Sequence, residues 1–425
     1  ATSPLTVSTN ALPNIMLLMD TSGSMNAIIE DDGYTGPSTA VDQWDYRDTN
    51  SGSLSDWWAW TEIDLIAGYV SRGALRQGGC SSGYFQFRKQ STNESKCLAI
   101  PAALDSDNNS LGNSTLYSAG YLTYLLNTYA NNTNLSGVIP TEYRMDVAKE
   151  VAKELIEQTS PAGSPKARFG LSRFNGSTNN GALMLAACNQ DTSNITGNNI
   201  ISSIDSLSAF GATPLAEALY DVTRYFRGLS STYGNFSNLL FPSPIQYRCQ
   251  QNFAIVLTDG FPTLDNNFPN NDSYGVSSEN SGKNLPDWDG LSPTTLEGQY
   301  PNFPQYSDGY DVNSTSGSAE GTTLYLDDIA LFAQELDLKP NGSELDNDGK
   351  SYNDPNFLQQ NLNTYTVGFS IDNQMLNDAA EYGTGEAFTA NNREQLLAAL
   401  TAAVDSIIAR SGSAASAAAS SGSVQ

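Results

Sequence analysis

The stretch PNIMLLMDTSGSMN, residues 13–26, carries an apolar run from Ile15 to Met19 and then changes character at one residue. Asp20 ends the run, and Ser22 and Ser24 follow at alternate positions, separated by Thr21 and Gly23. A short, unbroken apolar run predicts a buried strand over 14–19. Three oxygen-bearing side chains leaving one strand end together suit a hard cation, and they equally suit an ordinary turn.

Composition narrows the choice. The chain has 425 residues, enough for two or three average domains or one large α/β domain with long insertions. Its net charge is 20 − 46 = −26. So acidic a surface repels phosphate backbones and anionic lipid, which argues against nucleic-acid partners, while it attracts divalent cations. There is no histidine. His-ligated zinc and the Ser-His-Asp and Cys-His nucleophile systems are therefore excluded. Cys80, Cys97, Cys188 and Cys249 form no CxxC pair, against zinc ribbons and thioredoxin-type redox motifs. Wide spacing in an acidic, Asn/Ser/Thr-rich chain suits two disulfides in an exported protein, with four buried thiols as the alternative. No apolar run approaches the roughly 20 residues that span a bilayer. The first methionine is Met16, so a processed chain without its signal peptide is expected.

Along the chain, residues 27–140 are irregular and rich in Gly, Ser, Asn and Tyr, with Trp57, Trp58 and Trp60 clustered near their middle. The cluster is expected to pack this segment against the sheet, a partner-binding platform being the alternative. Thr141 reads as the N-cap of an amphipathic helix with Tyr143, Val147, Val151 and Leu155 on its apolar face. Arg144, Lys149 and Lys153 would form its solvated side. Strands are expected at 167–174, 182–188, 252–258 and 363–371, with a short one at EAFTA. Helices are expected at 214–226, in TTLYLDDIALFAQELDL, in DNQMLNDAAEYG up to Gly383, and after Asn392 with Gln395 completing a capping box. A second polar segment, 261–321, follows the strand that ends on Asp259. Residues 411–425 read as a Ser/Ala/Gly linker or tail. Alternating strands and helices predict an α/β domain over 1–410, its mostly parallel sheet covered on both faces. Two partial EF-hand-like stretches, 105–113 and 346–354, read as Asx-rich turns.

Three segments carry the candidate chemistry: Asp20-x-Ser22-x-Ser24, Thr213 ahead of Pro214, and Asp259 in LTDG. Each alone is compatible with a cap or a turn. In this order they resemble the metal-ion-dependent adhesion site of von Willebrand factor A domains. The resemblance implies a Rossmann-like fold with one antiparallel edge strand. It also implies a Mg²⁺, Mn²⁺ or Ca²⁺ ion held by Asp20, Ser22, Ser24, Thr213 and Asp259, with one position open to a partner's acidic group. IQYRCQQNFAIVLTDGFPT and the sequence from AFTANNREQLLAAL to the tail resemble the amino-terminal region of PilY-type proteins of type IV pili. That resemblance implies an exported protein at the bacterial surface or pilus tip, periplasmic in transit. Its roles would be pilus biogenesis, twitching motility and attachment to a host or abiotic surface, with minor pilins as partners. A structural subunit of the pilus priming complex is the alternative. An enzyme is not expected, since Mg²⁺-dependent phosphatases want a second carboxylate where Ser22 stands. Cys80 and Cys97 share one insertion and would close a short loop. If the strand at 182–188 is the family's antiparallel edge, Cys188 and Cys249 lie together on the side away from the metal, and a 188–249 pair is expected.

Overall fold

The computed structural model describes residues 11–421 except 37–41, 47–56, 60–67, 162–163, 179, 190–198, 266, 270–271, 273–284, 287, 289–323, 342 and 356. The apolar run forms β1 (Asn14–Met19), every residue of it buried. The segment after it contributes β2 (Trp44–Tyr46), β3 (Trp58–Ala59), β4 (Tyr69–Ser71), β5 (Phe85–Lys89), β6 (Ser95–Ala99), β7 (Leu116–Ser118), α1 (Ala119–Thr128) and β8 (Thr133–Asn134). There follow α2 (Arg144–Thr159), β9 (Arg168–Phe174), β10 (Ala182–Asn189), α3 (Ile200–Asp205), α4 (Leu215–Phe226) and β11 (Asn252–Thr258). The chain ends with α5 (Leu326–Glu335), β12 (Leu362–Phe369), α6 (Gln374–Tyr382), β13 (Thr384–Ala390) and α7 (Arg393–Ser421).

Six strands form one sheet in the order β10-β9-β1-β11-β12-β13. Its pairs are parallel except β10 with β9, which is antiparallel, the single reversed edge expected of a von Willebrand A fold. Alternation along β1 divides its side chains between two cores. Met16 and Leu18 join a cluster with residues of α4, α5 and α6. Ile15, Leu17 and Met19 join another with residues of α2, α3 and α7. Helices thus cover both faces, and β1 and β11 read as continuous apolar runs because neither face meets water. Successive strands leave β1 first toward β9 and then, on its other side, through β11. That is the reversal in strand order beside which such sheets bind ligands.

The described residues of 27–140 are not an irregular loop. They build a five-stranded sheet, β3-β2-β5-β6-β8, a two-stranded ribbon of β4 and β7, and α1. Ile28, Trp44, Phe87, Leu98, Tyr117 and Leu125 lie in a core of their own. The tryptophan expectation is corrected. Trp58 is exposed, Trp57 lies under Arg88 of β5, and Trp60 falls outside the described residues. The tryptophan that anchors this core is Trp44.

Cys80 and Cys97 are disulfide-bonded, as expected for a short loop within the insertion. Cys188 and Cys249 are free thiols, which corrects the expected second bridge. Cys188 is on β10 and Cys249 just precedes β11, and β9 and β1 lie between those strands. Three spacings of about 4.8 Å put the strands on the order of 14 Å apart. A disulfide needs Cα atoms within about 7 Å. Cys188 Sγ instead lies over Gly170, where an added Cβ would meet it at 2.8 Å.

The Ser/Ala/Gly end, expected as a linker or tail from 411, is helical to Ser421. Alanine is the strongest helix former, and no proline interrupts the run. Asn392 accepts from the Gln395 amide, and Gln395 Oε1 accepts from the Asn391 amide, so the capping box forms with its return bond one residue upstream. The helix expected after Thr141 starts at Arg144, with Tyr143 at the cap position and no side-chain cap. Asp105 and Asp346 each accept backbone amides two and four residues ahead, so both partial EF-hand stretches are Asx turns. The segment 261–321 falls largely outside the described residues.

Candidate functional site

Asp20 follows the last residue of β1 and Asp259 the last of β11, adjacent parallel strands in which Met19 pairs with Leu257. The Asp20 amide donates to Leu257 O at 2.8 Å, so the two acids leave the sheet side by side. The loop before α4 closes the third side. Phe210 N–H donates to Thr21 O (2.6 Å), and Gly23 N–H donates to Gly211 O (3.0 Å). Gly211 adopts φ +91°, a conformation glycine enters without a Cβ clash. Thr213 exchanges bonds with Thr263 beyond β11: its amide donates to Thr263 Oγ1 (2.9 Å), and Thr263 N–H donates to Thr213 O (3.1 Å). Three segments far apart in sequence are thereby laced at one edge of the sheet.

Within this frame the oxygens form a connected set. Ser22 N–H donates to Asp20 Oδ1 (2.6 Å) and Thr258 Oγ1 to Asp20 Oδ2 (2.6 Å). The Ser22 and Ser24 hydroxyls are 2.7 Å apart, and Ser24 Oγ donates to Asp259 Oδ1 at 2.7 Å. Asp20, Ser22, Thr213 and Asp259 are buried, whereas Ser24 is half-buried and Phe210 and Gly211 are exposed, so the site opens on that side. Burial, and then the Asp259 carboxylate, pushes the Asp20 pKa above the usual carboxylate range. Hydrogen bonds from Ser22 and Thr258 offset this in part.

Two buried carboxylates side by side are relieved either by a retained proton or by a nearby cation. Among the described residues no group of three or more acidic or cysteine side chains is placed to hold a metal. Any cation here would draw on hydroxyls as well as the two aspartates. An octahedral Mg²⁺ with bonds of about 2.1 Å places neighbouring oxygens about 3 Å apart. The spacing of Ser22, Ser24 and Asp259 is close to that.

One cation is already present, and the sequence reading placed it wrongly. Arg144, expected on the solvated side of its helix, is buried with its Nη1 2.9 Å from Asp259 Oδ2 and its Nη2 3.3 Å from Glu30 Oε1. Nη1 also donates to Tyr69 Oη at 2.8 Å. Burial alone would lower the Arg144 pKa, but Tyr69, Asp259 and Glu30 outweigh it and hold the guanidinium charged. Lys153 behaves as expected, bridging to Asp205.

Beside the site lies a second acidic group that the sequence reading missed. Thr213 does not cap α4 and neither does Pro214. Asp265 does so from the loop beyond β11, accepting from Ala216 N–H (2.7 Å) and Glu217 N–H (2.8 Å). Glu217 accepts from the Gly181 and Asn267 amides, and Asp221 from the Ala182 amide and Ser231 hydroxyl. Burial raises the Asp221 pKa to about 7, and burial with Asp265 nearby raises that of Glu217.

No family model matches the chain, and neither does any curated protein. Solved structures do. The PilB minor pilin from Streptococcus sanguinis is 14% identical, with 91% of this chain and 93% of that one covered at a TM-score of 0.34. The vWF domain of the type V pili tip protein Mfa5 from Porphyromonas gingivalis is 14% identical, with 63% and 88% covered and a TM-score of 0.32. The ArnB paralog VWA2 from Sulfolobus acidocaldarius is 13% identical, with 61% and 39% covered and a TM-score of 0.27. The fold is of the von Willebrand A type. That statement stands on the chain's own strand order and reversed edge.

Proposed function

We propose that this chain is a cation-dependent binding domain of an exported, type IV pilus-associated protein, acting in pilus biogenesis and surface attachment rather than as an enzyme. The observation that carries the reading is the oxygen set at the strand-order reversal: two buried aspartates joined through the Ser22 and Ser24 hydroxyls, with one side open. Asp20, Ser22, Ser24, Thr213 and Asp259 would hold Mg²⁺, Mn²⁺ or Ca²⁺. When bound, the cation supplies positive charge at the open side of a strongly acidic protein, and so reverses the local sign toward an acidic group on a partner. Phe210 and Gly211 stand exposed beside that opening. The pilus assignment rests on the sequence resemblance over about 245–425. The Cys80–Cys97 bridge supports export. No helix among the described residues is long and apolar enough to cross a membrane.

Adhesion of cells displaying the protein should fall in chelator and return with Mg²⁺ or Mn²⁺. Adhesion indifferent to chelator, with pilus assembly dependent on Ser24, would remove the adhesive role and leave a structural subunit.

A further inference from the structure

Arg144 is buried, and its polar partners come from two different bodies. Asp259 belongs to the main sheet and offers Oδ2 to Arg144 while Oδ1 accepts from Ser24. Glu30 and Tyr69 belong to the inserted region, Glu30 near its start and Tyr69 on β4. Ser118, which ends β7 and pairs with Tyr69 across the ribbon, donates its hydroxyl to Glu30 Oε1 at 2.7 Å. Both strands of the ribbon therefore reach the guanidinium, one directly and one through Glu30. The backbone continues the same junction: Arg144 N–H donates to Ala27 O at 3.0 Å, and Ile28 N–H donates to Leu116 O at 3.0 Å.

We infer that Arg144 is the positioning residue that couples the inserted subdomain to the cation site, so that cation binding and docking of the β4–β7 ribbon stabilise each other. The inference rests on the cation reading above. Its physical basis is the division of the Asp259 carboxylate between Arg144 on one oxygen and Ser24 on the other. Asp259 and Glu30 face one guanidinium and Asp20 lies beside Asp259, so three carboxyl groups stand near a single fixed positive charge, a surplus that a bound divalent ion would balance. Lifting the ribbon takes Tyr69 from Arg144 and Ser118 from Glu30, leaving buried charged groups with fewer partners, which is unfavourable. A carboxylate held from one side has a fixed plane for ligands on the other.

Amide hydrogen exchange with and without Mg²⁺, alongside calorimetric Mg²⁺ titration, tests this on the whole chain. In the parent, Mg²⁺ should slow exchange at Tyr69–Ser71 and Leu116–Ser118 by about fivefold or more, the lower end of ordinary coupling between sites. Arg144→Met should abolish that remote slowing, and Arg144→Lys should restore part of it. Because Arg144→Met strands Asp259 and Glu30 and could unfold, the double variant Tyr69→Phe/Glu30→Gln provides an independent arm. It weakens only the insertion's hold on Arg144, and should lose the remote slowing while still binding Mg²⁺. Mg²⁺ binding with remote protection equal in parent and double variant would overturn the coupling alone. A parent that binds no Mg²⁺ would overturn both the coupling and the cation reading beneath it.

Discussion

Arg144 shows what the sequence hides at the scale of a residue. Positions 144, 147, 148, 151 and 155 form one face of α2, and the structure buries all five. The expected apolar face ran through Tyr143, Val147, Val151 and Leu155, and its charge assigned Arg144 to solvent, because its partners Glu30, Tyr69 and Asp259 are dispersed along the chain. Asp20, Ser22 and Ser24 were legible because they fall within five residues of one another and directly follow an apolar strand. Asp265 was not, since the helix it caps begins some 50 residues earlier. Asp265→Ala should lower stability by about 1–2 kcal/mol, the range for losing a cap, read from urea unfolding in chelator. Asp221 gives a pH dependence with a defined sign. Its folded pKa is about 7 against an ordinary 3.8, so the folded state holds a proton that the unfolded state has released. Stability in chelator should therefore fall as pH rises from about 4 to 7, and Glu217, shifted the same way, extends the fall upward. Asp221→Asn should make that slope shallower, leaving the part that the other raised carboxyl groups contribute. A urea midpoint in the variant that still falls as steeply as in the parent would show that Asp221 is not its source.

At the scale of elements, the strands and most helices follow from pattern. β1 is apolar from Ile15 to Met19 and β11 from Phe253 to Leu257, and an aspartate directly follows each strand, which marks the edge where the site lies. Strand order is a different kind of information, because local sequence does not record which strands are neighbours. The expected Cys188–Cys249 bridge failed on that point: both cysteines lie at the edge away from the site, but β9 and β1 separate their strands. Thiol titration in denaturant without reductant should accordingly find two reactive thiols per chain, with peptide mapping assigning them to Cys188 and Cys249. A second native linkage between them would require the ends of β10 and β11 to approach far more closely than the sheet allows.

For the whole molecule, the largest feature absent from the sequence reading is the folded insertion. Its described strands are short, two to five residues each, most of them below the length at which alternation can be recognised. Its core is assembled from single residues spread over more than a hundred positions. Cys80–Cys97 closes a loop with a sequence separation of 17, so reduction should destabilise this subdomain by about 3 kcal/mol, seen as faster exchange at Phe85–Lys89 and Ser95–Ala99. The main sheet should be little affected. The central claim, however, concerns the edge where β1, β11 and the Thr213 loop meet. Asp259→Ala is a poor test of it, because that change also takes from the buried Arg144 the nearer of its two carboxylate partners. Ser22→Ala/Ser24→Ala removes two hydroxyls and no charge. The most direct measurement is calorimetric titration of Mg²⁺ into chelator-stripped parent and this double variant. The account predicts one ion per chain in the parent and a loss of about tenfold or more in affinity in the variant, equivalent to about 1.4 kcal/mol. Equal affinity in the two proteins would contradict it.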